Sequence, residues 1–433
     1  MKPETRQTSV DQTTTVSPAM VRKAVTGAAV GNFVEWFDFA IYAYLATYIA
    51  ANFFPSDNET TGLLFTFGAF AVAFVMRPIG GLFFGPLGDK IGRRRTLAIV
   101  VLATSTATFL MGLLPSYDAL GVAAPLLLVL LRFVQAFAAG GEYGGGAIFI
   151  AEYAPRQRRG FFVSFLPAST FLAYLFAAVL ITGLSTALTE QDMTSWGWRI
   201  PFLLAGPLGI AGLYIRSRLD ETPEFRALED AGSVTKTPLK ETITKHWRPI
   251  LQLIALVSCW VAAFYVAFAY MPALYHKLGY GDTESFVSMI VACMVPIITL
   301  PLLGTLSDRS GPRPIMLAAS VGFAVSAYPL FMLINTGNLA AAYVAHGAIA
   351  FFVAALSSCI VMGTQLFETR VRYSGFAIGH NVSVAVFGGT APMISTYLVS
   401  VTDDARSPSY YIVFTALVTL LGVLTVRNHL RRG

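Results

Sequence analysis

The sequence predicts an all-α membrane protein with twelve transmembrane helices in two parallel six-helix halves. Three observations support this prediction: a composition poor in charge, twelve apolar runs long enough to cross a bilayer, and a loop motif that occurs twice. Of the 433 residues, 55% are hydrophobic and only 12% are charged. Soluble domains carry about 25% charged residues. Most of the chain is therefore expected to lie in lipid.

The apolar runs each cover about 20 residues or more, which is the length that a helix needs to cross the hydrocarbon core. They show no strand-like alternation, and this excludes an outer-membrane barrel. We number them spans 1 to 12, at residues 24–53, 61–86, 95–114, 121–152, 160–186, 199–217, 249–275, 284–306, 314–334, 339–366, 373–401 and 409–426.

Lys and Arg residues are distributed unevenly between the two sets of loops. If the N-terminus is cytoplasmic, 25 of the 30 lie in the termini or in cytoplasmic loops, and three lie in the opposite loops. Basic loop residues of membrane proteins stay on the cytoplasmic side. We therefore expect a multi-pass protein of the plasma (inner) membrane with both termini in the cytoplasm. The net charge of +6 then serves orientation and not nucleic-acid binding.

The chain contains an internal repeat. GPLGDKIGRR (85–94) follows span 2, and GTLSDRSGPR (304–313) follows span 8. Both read G-x-L-[GS]-D-[KR]-x-G-x-R, and parallel halves around a site at the bilayer midplane are a transporter architecture. The predicted domains are a disordered cytoplasmic tail (1–22), an N-terminal half (23–218), a cytoplasmic linker (219–247), a C-terminal half (248–428) and a cytoplasmic tail (429–433).

The repeated loop motif predicts a charged gate. Its glycines permit tight turns and close helix approach, and its aspartate can accept hydrogen bonds from a helix N-terminus or from arginines. A capping aspartate in a basic loop is the alternative interpretation, and the second copy of the motif favours the gate. The predicted gate residues are Gly85, Asp89, Gly92, Arg93, Arg94, Gly304, Asp308, Arg309 and Gly311.

The loop motif resembles the signature of the major facilitator superfamily. Within that superfamily, GNFVEWFDFAIYAY, MRPIGGLFFGPLGDKIGRRR, GGEYGGGAIFIAEYAP, WGWRIPF and LDETPEF are similar to the metabolite:proton symporter family. That family includes proline/betaine, α-ketoglutarate, shikimate and citrate transporters, and the proline/betaine transporters look most similar. The resemblance extends over spans 1 to 12. It implies the major facilitator fold, with spans 1, 4, 7 and 10 around a central cavity.

Span 1 carries acids at the depth of the bilayer. Glu35 and Asp38 share one helical face, and an unpaired charge at the bilayer centre costs about 3 kcal/mol by insertion scales. Such carboxylates need arginine partners, a polar cavity or protons. A static ion-pair network is the alternative to proton coupling. The predicted cavity and coupling residues are Glu35, Asp38, Tyr42, Arg77, Arg132, Gln135, Glu142 and Tyr143.

Span 7 carries aromatic residues that could contact a substrate. Trp260, Phe264 and Tyr265 could form a cage for a quaternary ammonium group. Aromatic side chains that face lipid or the membrane interface are the alternative interpretation. The sequence contains no Walker motif, which argues against direct use of ATP. It also shows no nucleophile–base pair and no metal cluster, so we do not expect an enzyme.

These observations predict a secondary active transporter. We expect proton-coupled symport of a small polar metabolite by alternating access, and the resemblance favours a zwitterion such as proline or a betaine. The alternative substrate is a mono- or dicarboxylate of the α-ketoglutarate, shikimate or citrate type, with Arg77 and Arg132 as carboxylate ligands. The proton gradient is the expected energy source, with no cofactor. Expected partners are the substrate, protons and the lipid bilayer, without nucleic acid, and the expected state is a monomer.

Overall fold

The computed structural model describes residues 18–56, 58–91, 93–140, 142–217, 245–367 and 372–426. Within these ranges every regular element is a helix. Most of the predicted N-terminal tail, most of the predicted linker and all of the predicted C-terminal tail lie outside the described residues.

Each of the twelve predicted spans corresponds to a helix in the described part of the chain. These are α1 (Pro18–Tyr44, then Ala46–Phe53), α2 (Glu59–Phe74 and Met76–Ile91), α3 (Arg93–Leu113), α4 (Ala123–Ala139 and Glu142–Tyr153), α5 (Arg159–Val163 and Phe165–Ala187), α6 (Arg199–Ser217), α7 (Trp247–Tyr265, a π-helical turn Val266–Tyr270, then Met271–Lys277), α8 (Asp282–Ser310), α9 (Pro312–Ile334), α10 (Leu339–Leu356 and Cys359–Thr364), α11 (Arg372–Ser383, a π-helical turn Val384–Gly388, then Ala391–Thr402) and α12 (Pro408–Thr425).

Length and composition support this assignment. Among the described residues, 9 helices are long and apolar enough to cross a membrane. The other three are α1, which carries Glu35 and Asp38, and the helices α3 and α6, whose apolar segments are shorter. The prediction of a twelve-helix membrane protein is therefore confirmed.

The first helix reaches further toward the N-terminus than the sequence predicts. Among the described residues α1 is helical from Pro18, whereas the predicted disordered tail extends to residue 22. A helix makes its backbone hydrogen bonds within itself, so it continues past the apolar run into polar residues such as Arg22 and Lys23. Residues 18–22 are therefore helical.

The two halves pack against each other mainly through α5 with α8 and α2 with α11. Asn381 on α11 donates a hydrogen bond to the carbonyl oxygen of Gly140 on α4 at 3.0 Å. A Cβ atom on Gly140 would overlap the carbonyl oxygen of Arg77 on α2. Glycine at this position therefore allows α2 and α4 to meet, because any side chain would push them apart.

The loops define two ends of the bundle. The linker end carries the first residues of α5 and α7 and the turn at Gly311 between α8 and α9. The opposite end carries the connections between α1 and α2, between α7 and α8, and between α11 and α12. The distribution of Lys and Arg predicts that the linker end faces the cytoplasm.

Candidate functional site

A central cavity lies between the halves, near the middle of α1, α4, α5, α7 and α11. It is narrow in this structure, with room for about one water molecule. Seven ring side chains supply most of its wall, namely Trp36, Tyr143, Phe171, Trp260, Phe264, Tyr265 and His380. Aromatic contacts close it across the boundary between the halves. Trp36 lies edge-on to Phe264 with ring centroids 5.3 Å apart, and Tyr143 stacks on His380 at 5.1 Å.

The aromatic residues predicted on span 7 all line this cavity. Trp260, Phe264 and Tyr265 are 6%, 4% and 1% exposed, so none of them faces lipid. Spacing explains the placement of Trp260 and Phe264, because positions four apart lie on one face of a helix. Tyr143, which was predicted with the cavity residues of span 4, lines the same cavity from the other half.

The rings around the central cavity carry polar atoms that lack hydrogen bonds. Among the described residues, no partner is found for Nε1 of Trp36, Nε1 of Trp260, the hydroxyl of Tyr143 or Nε2 of His380. Buried polar atoms of proteins are normally bonded, and an unbonded one costs about 1–3 kcal/mol. The indole N–H groups can only donate, and the phenol group can donate as well. The cavity therefore offers ring faces to a cation and hydrogen-bond donors to an acceptor.

An ion pair lies beside this cavity. Nη2 of Arg77 donates to Oε1 of Glu35 at 2.8 Å, and both side chains are almost fully buried. The guanidinium carbon of Arg77 also lies 5.8 Å from the ring centroid of Trp36 and 5.2 Å from that of Phe39. Trp36 thus belongs to the cavity wall and to the surroundings of Arg77. Asp38 is fully buried one turn further along α1.

Three other predicted residues form a separate cluster. The guanidinium carbon of Arg132 lies 4.2 Å from the ring centroid of Tyr42 and 4.8 Å from that of Phe70. Nη1 of Arg132 donates to Oε1 of Gln135, whose Nε2 donates to Oγ1 of Thr108 at 2.7 Å. None of these residues lines the central cavity. The structure therefore divides the single predicted set into a cavity group and an Arg132 cluster.

Asp308 connects the two halves at the linker end. Its Oδ1 accepts a hydrogen bond from the backbone N–H of Gly160 at 2.6 Å, and its Oδ2 accepts one from Phe161 at 2.9 Å. These N–H groups belong to the first turn of α5, where no helical carbonyl can accept them and where the helix dipole favours an anion. A Cβ atom on Gly304 would lie 2.6 Å from the carbonyl oxygen of Gly160, so the predicted glycine permits the approach.

The remaining predicted gate residues are placed only in part. Arg309 is exposed, and Gly311 has a φ of 82°, a conformation that favours glycine, at the turn into α9. The side chains of the first motif copy and of one span 4 acid lie outside the described residues. These are Gly85, Asp89, Gly92, Arg93, Arg94 and Glu142.

Sequence reasoning missed Trp36 and Phe171 as cavity residues. The polar stripe of Glu35 and Asp38 drew attention to one face of α1, whereas Trp36 points to the neighbouring face. One signal was available, because tryptophan in membrane helices concentrates at the interfaces, and Trp36 lies in the middle of its span. Phe171 lies in an apolar run with nothing to distinguish it from packing residues.

Comparison with known proteins gives consistent results. The family model described as Major Facilitator Superfamily matches residues 28–426. The proline/betaine transporter of Escherichia coli is 38% identical, over 97% of this chain and 86% of that protein. The glycine betaine/proline/ectoine/pipecolic acid transporter OusA of Dickeya dadantii is also 38% identical, over 97% of this chain and 86% of that protein. The ectoine/proline transporter ProP of Corynebacterium glutamicum is 37% identical, over 98% of this chain and 87% of that protein.

Solved structures show the same fold. The proton:xylose symporter XylE bound to 6-bromo-6-deoxy-D-glucose has a TM-score of 0.74 at 16% sequence identity, and the match covers 94% of this chain and 95% of that chain. A partially occluded inward-open form of the xylose transporter XylE from Escherichia coli has a TM-score of 0.71 at 16% identity, with 94% and 97% coverage.

Proposed function

Because this chain belongs to the major facilitator superfamily, we propose that it carries a small zwitterion, such as proline or a betaine, across the plasma (inner) membrane together with protons. The central cavity is the observation that carries the proposal. It combines ring faces with unbonded donors, as on Trp36 and Trp260, and a zwitterion needs both. The relatives named as proline/betaine transporters support the same substrate class.

The lining of the central cavity favours a zwitterion over a carboxylate dianion. The ammonium group can lie on the faces of Trp260 and Phe264, where cation–π attraction contributes about 0.5–2 kcal/mol. The carboxylate can accept from indole N–H and phenol O–H groups. None of the described residues that line the cavity is Asp, Glu, Lys or Arg, so a solute with a net charge would lack a counter-charge. Arg77 is already bonded to Glu35, and Arg132 lies in its own cluster.

We further propose that a span 1 acid, with Glu35 first, carries the coupled proton. Protonation of Glu35 would remove the carboxylate partner of Arg77, whose guanidinium carbon lies 5.8 Å from the ring centroid of the cavity residue Trp36. The added positive potential would favour a bound carboxylate, and release of the solute would favour release of the proton. Proton and solute then bind cooperatively, because each stabilises the state that the other prefers.

The contact of Asp308 with the first turn of α5 is the gate in this proposal. It holds α5 and α8 together at the linker end, which the distribution of Lys and Arg assigns to the cytoplasm. Opening of the cavity to the cytoplasm would break both hydrogen bonds. In this proposal the protein acts as a monomer, driven by the proton gradient without a cofactor, with both termini in the cytoplasm.

Transport by proteoliposomes tests the proposed function. Vesicles with an alkaline interior should accumulate labelled proline or glycine betaine, and a protonophore should abolish the accumulation. Labelled α-ketoglutarate should not accumulate, because its two carboxylates would find at most the single positive charge of Arg77, freed when Glu35 is protonated. Accumulation of α-ketoglutarate, shikimate or citrate with neither zwitterion transported would contradict the proposal and favour the carboxylate alternative.

The substitution Asp308→Asn tests the gate. It leaves one acceptor oxygen of two and removes the charge, and a hydrogen bond to a charged group is worth about 1.5–3 kcal/mol. We expect uptake to slow about tenfold, with substrate affinity within about twofold of the parent. Uptake rates and quenching of tryptophan fluorescence by substrate measure the two quantities.

A matched control for this substitution is Asp404→Asn. Asp404 accepts a hydrogen bond from Nε of Arg406 at 2.8 Å in a loop at the opposite end of the bundle. This variant should transport like the parent. If Asp308→Asn instead loses affinity at a normal turnover rate, Asp308 supports the binding site and the gating role is wrong.

A further inference from the structure

A second cavity lies between the central cavity and the Asp308 contact. This linker-side cavity lies between α5, α8 and α10 and has room for about one or two water molecules in this structure. Pro167 lines both cavities. Gly160 and Gly304, which lie at the Asp308 contact, line the linker-side cavity as well. The linker-side cavity therefore borders both the central cavity and the Asp308 contact.

Four serines give this cavity a hydroxyl lining, namely Ser164, Ser307, Ser357 and Ser358. Ser164 and Ser357 each donate to a main-chain carbonyl of their own helix at 2.6 Å. Ser307 differs, because its Oγ is buried and has no hydrogen-bond partner among the described residues. Its side chain is only 6% exposed. A buried donor of this kind is one that a ligand can satisfy.

α10 tightens for one turn beside the same cavity. Ser357 and Ser358 keep helical backbone angles, and the N–H of Ser358 donates to the carbonyl oxygen of Ala355, three residues back. Their side chains line the cavity, so they form a polar place in a helix that is otherwise mostly apolar.

We propose that the linker-side cavity is a second binding site, which holds the carboxylate of the solute between the central cavity and release. This inference rests on the proposed function, since the ligand is the zwitterion named there. The described lining offers hydroxyl groups but no aromatic ring face for the ammonium group, so the site binds more weakly than the central cavity, as suits a release site. When the Asp308 contact opens, Gly160 and Gly304 separate and the cavity widens toward the cytoplasm.

Transport measured from each face of the membrane tests this site. Ser307→Ala and Ser358→Ala should raise the half-saturating concentration of labelled proline or glycine betaine about tenfold in inside-out vesicles, because a carboxylate loses a hydroxyl donor. In right-side-out vesicles the same variants should stay within about twofold of the parent. Ser307→Thr keeps the hydroxyl group, so its half-saturating concentration in inside-out vesicles should equal that of the parent.

The control is Ser320→Ala on α9. The hydroxyl of Ser320 is buried and donates to the carbonyl of Met316 at 2.7 Å, and it lines neither cavity. Unchanged half-saturation of Ser307→Ala and Ser358→Ala at both faces would overturn the inference, since the cavity would then hold water only. Equal rises of the half-saturating concentration at both faces would also overturn the inference, because they would assign the serines to the central cavity. A parent that transports neither zwitterion overturns the proposed function instead.

Discussion

The substitution Glu35→Gln is expected to abolish uphill uptake driven by a pH gradient, while exchange of labelled for unlabelled substrate continues. Glutamine keeps the size of the side chain and cannot take up or release the coupled proton. Exchange needs no net release of protons, so a substrate-loaded carrier can still move between its two conformations. In proteoliposomes, the substrate concentration inside should rise no higher than the concentration outside. The rate of exchange should fall no more than about threefold.

A static ion pair predicts a different outcome for the same variant. Removal of one partner from a buried pair costs about 3–5 kcal/mol, because Arg77 would be left without the carboxylate that it contacts at 2.8 Å. Folding and both transport activities would then fall together. The double variant Glu35→Gln/Arg77→Gln would recover the yield of folded protein under that interpretation. The ratio of exchange to accumulation, measured on monodisperse protein, decides between the two interpretations.

Asp38→Asn is the matched variant, because Asp38 is a second fully buried acid on the same helix. If Glu35 carries the proton, Asp38→Asn should retain accumulation in response to a pH gradient. The reverse pattern would assign the proton to Asp38. Accumulation at the parent level in both variants would show that neither acid couples protons, and Glu142 would remain as the candidate.

Trp260→Ala is expected to raise the half-saturating concentration of glycine betaine about 30-fold. The substitution removes a ring face and an indole donor from the wall of the central cavity. A desolvated cation–π contact is worth about 2 kcal/mol, which corresponds to that factor. Trp260→Phe keeps a ring face and loses only the donor, so its effect should be several-fold smaller. The half-saturating concentration from uptake kinetics and the dissociation constant from direct binding should change by the same factor.

Trp196 provides the control for this substitution. It is 47% exposed, lies at the opposite end of the bundle and does not line the cavity. Trp196→Ala should change the half-saturating concentration less than about twofold. Parent-like affinity in folded Trp260→Ala would contradict an aromatic site for the ammonium group. If Trp260→Phe and Trp260→Ala raise the half-saturating concentration equally, the indole N–H group and not the ring face contributes the affinity.

The helices and the repeat could be predicted from the sequence because both are local properties. A run of about 20 apolar residues must form a helix in lipid, since each backbone N–H and carbonyl has to be bonded within the segment. The twelve helices therefore follow from twelve runs, with differences at the helix ends, as at Pro18 and Ser310, where polar residues continue the helix. The recurrence of one loop motif after 219 residues could likewise be read without knowledge of any contact.

The partners of the site residues could not be predicted in this way. The sequence offered two arginines, Arg77 and Arg132, as possible partners of Glu35. The packing of α2 against α1 pairs Glu35 with Arg77, while Arg132 donates to Gln135. Asp308 accepts hydrogen bonds from main-chain N–H groups of α5 in the other half. Every residue except proline carries a backbone N–H group, so the sequence does not indicate which of them bonds to Asp308.

The sequence by itself determined the membrane class, the helix count and the residue types available for binding and for proton coupling. The tertiary structure alone decided which of these residues meet. The central cavity exists because Trp36 and Tyr143 face Trp260 and His380 across the boundary between the halves. Such contacts join residues more than 100 positions apart, and they depend on helix rotation and on glycine contacts such as Gly140, which no single span encodes.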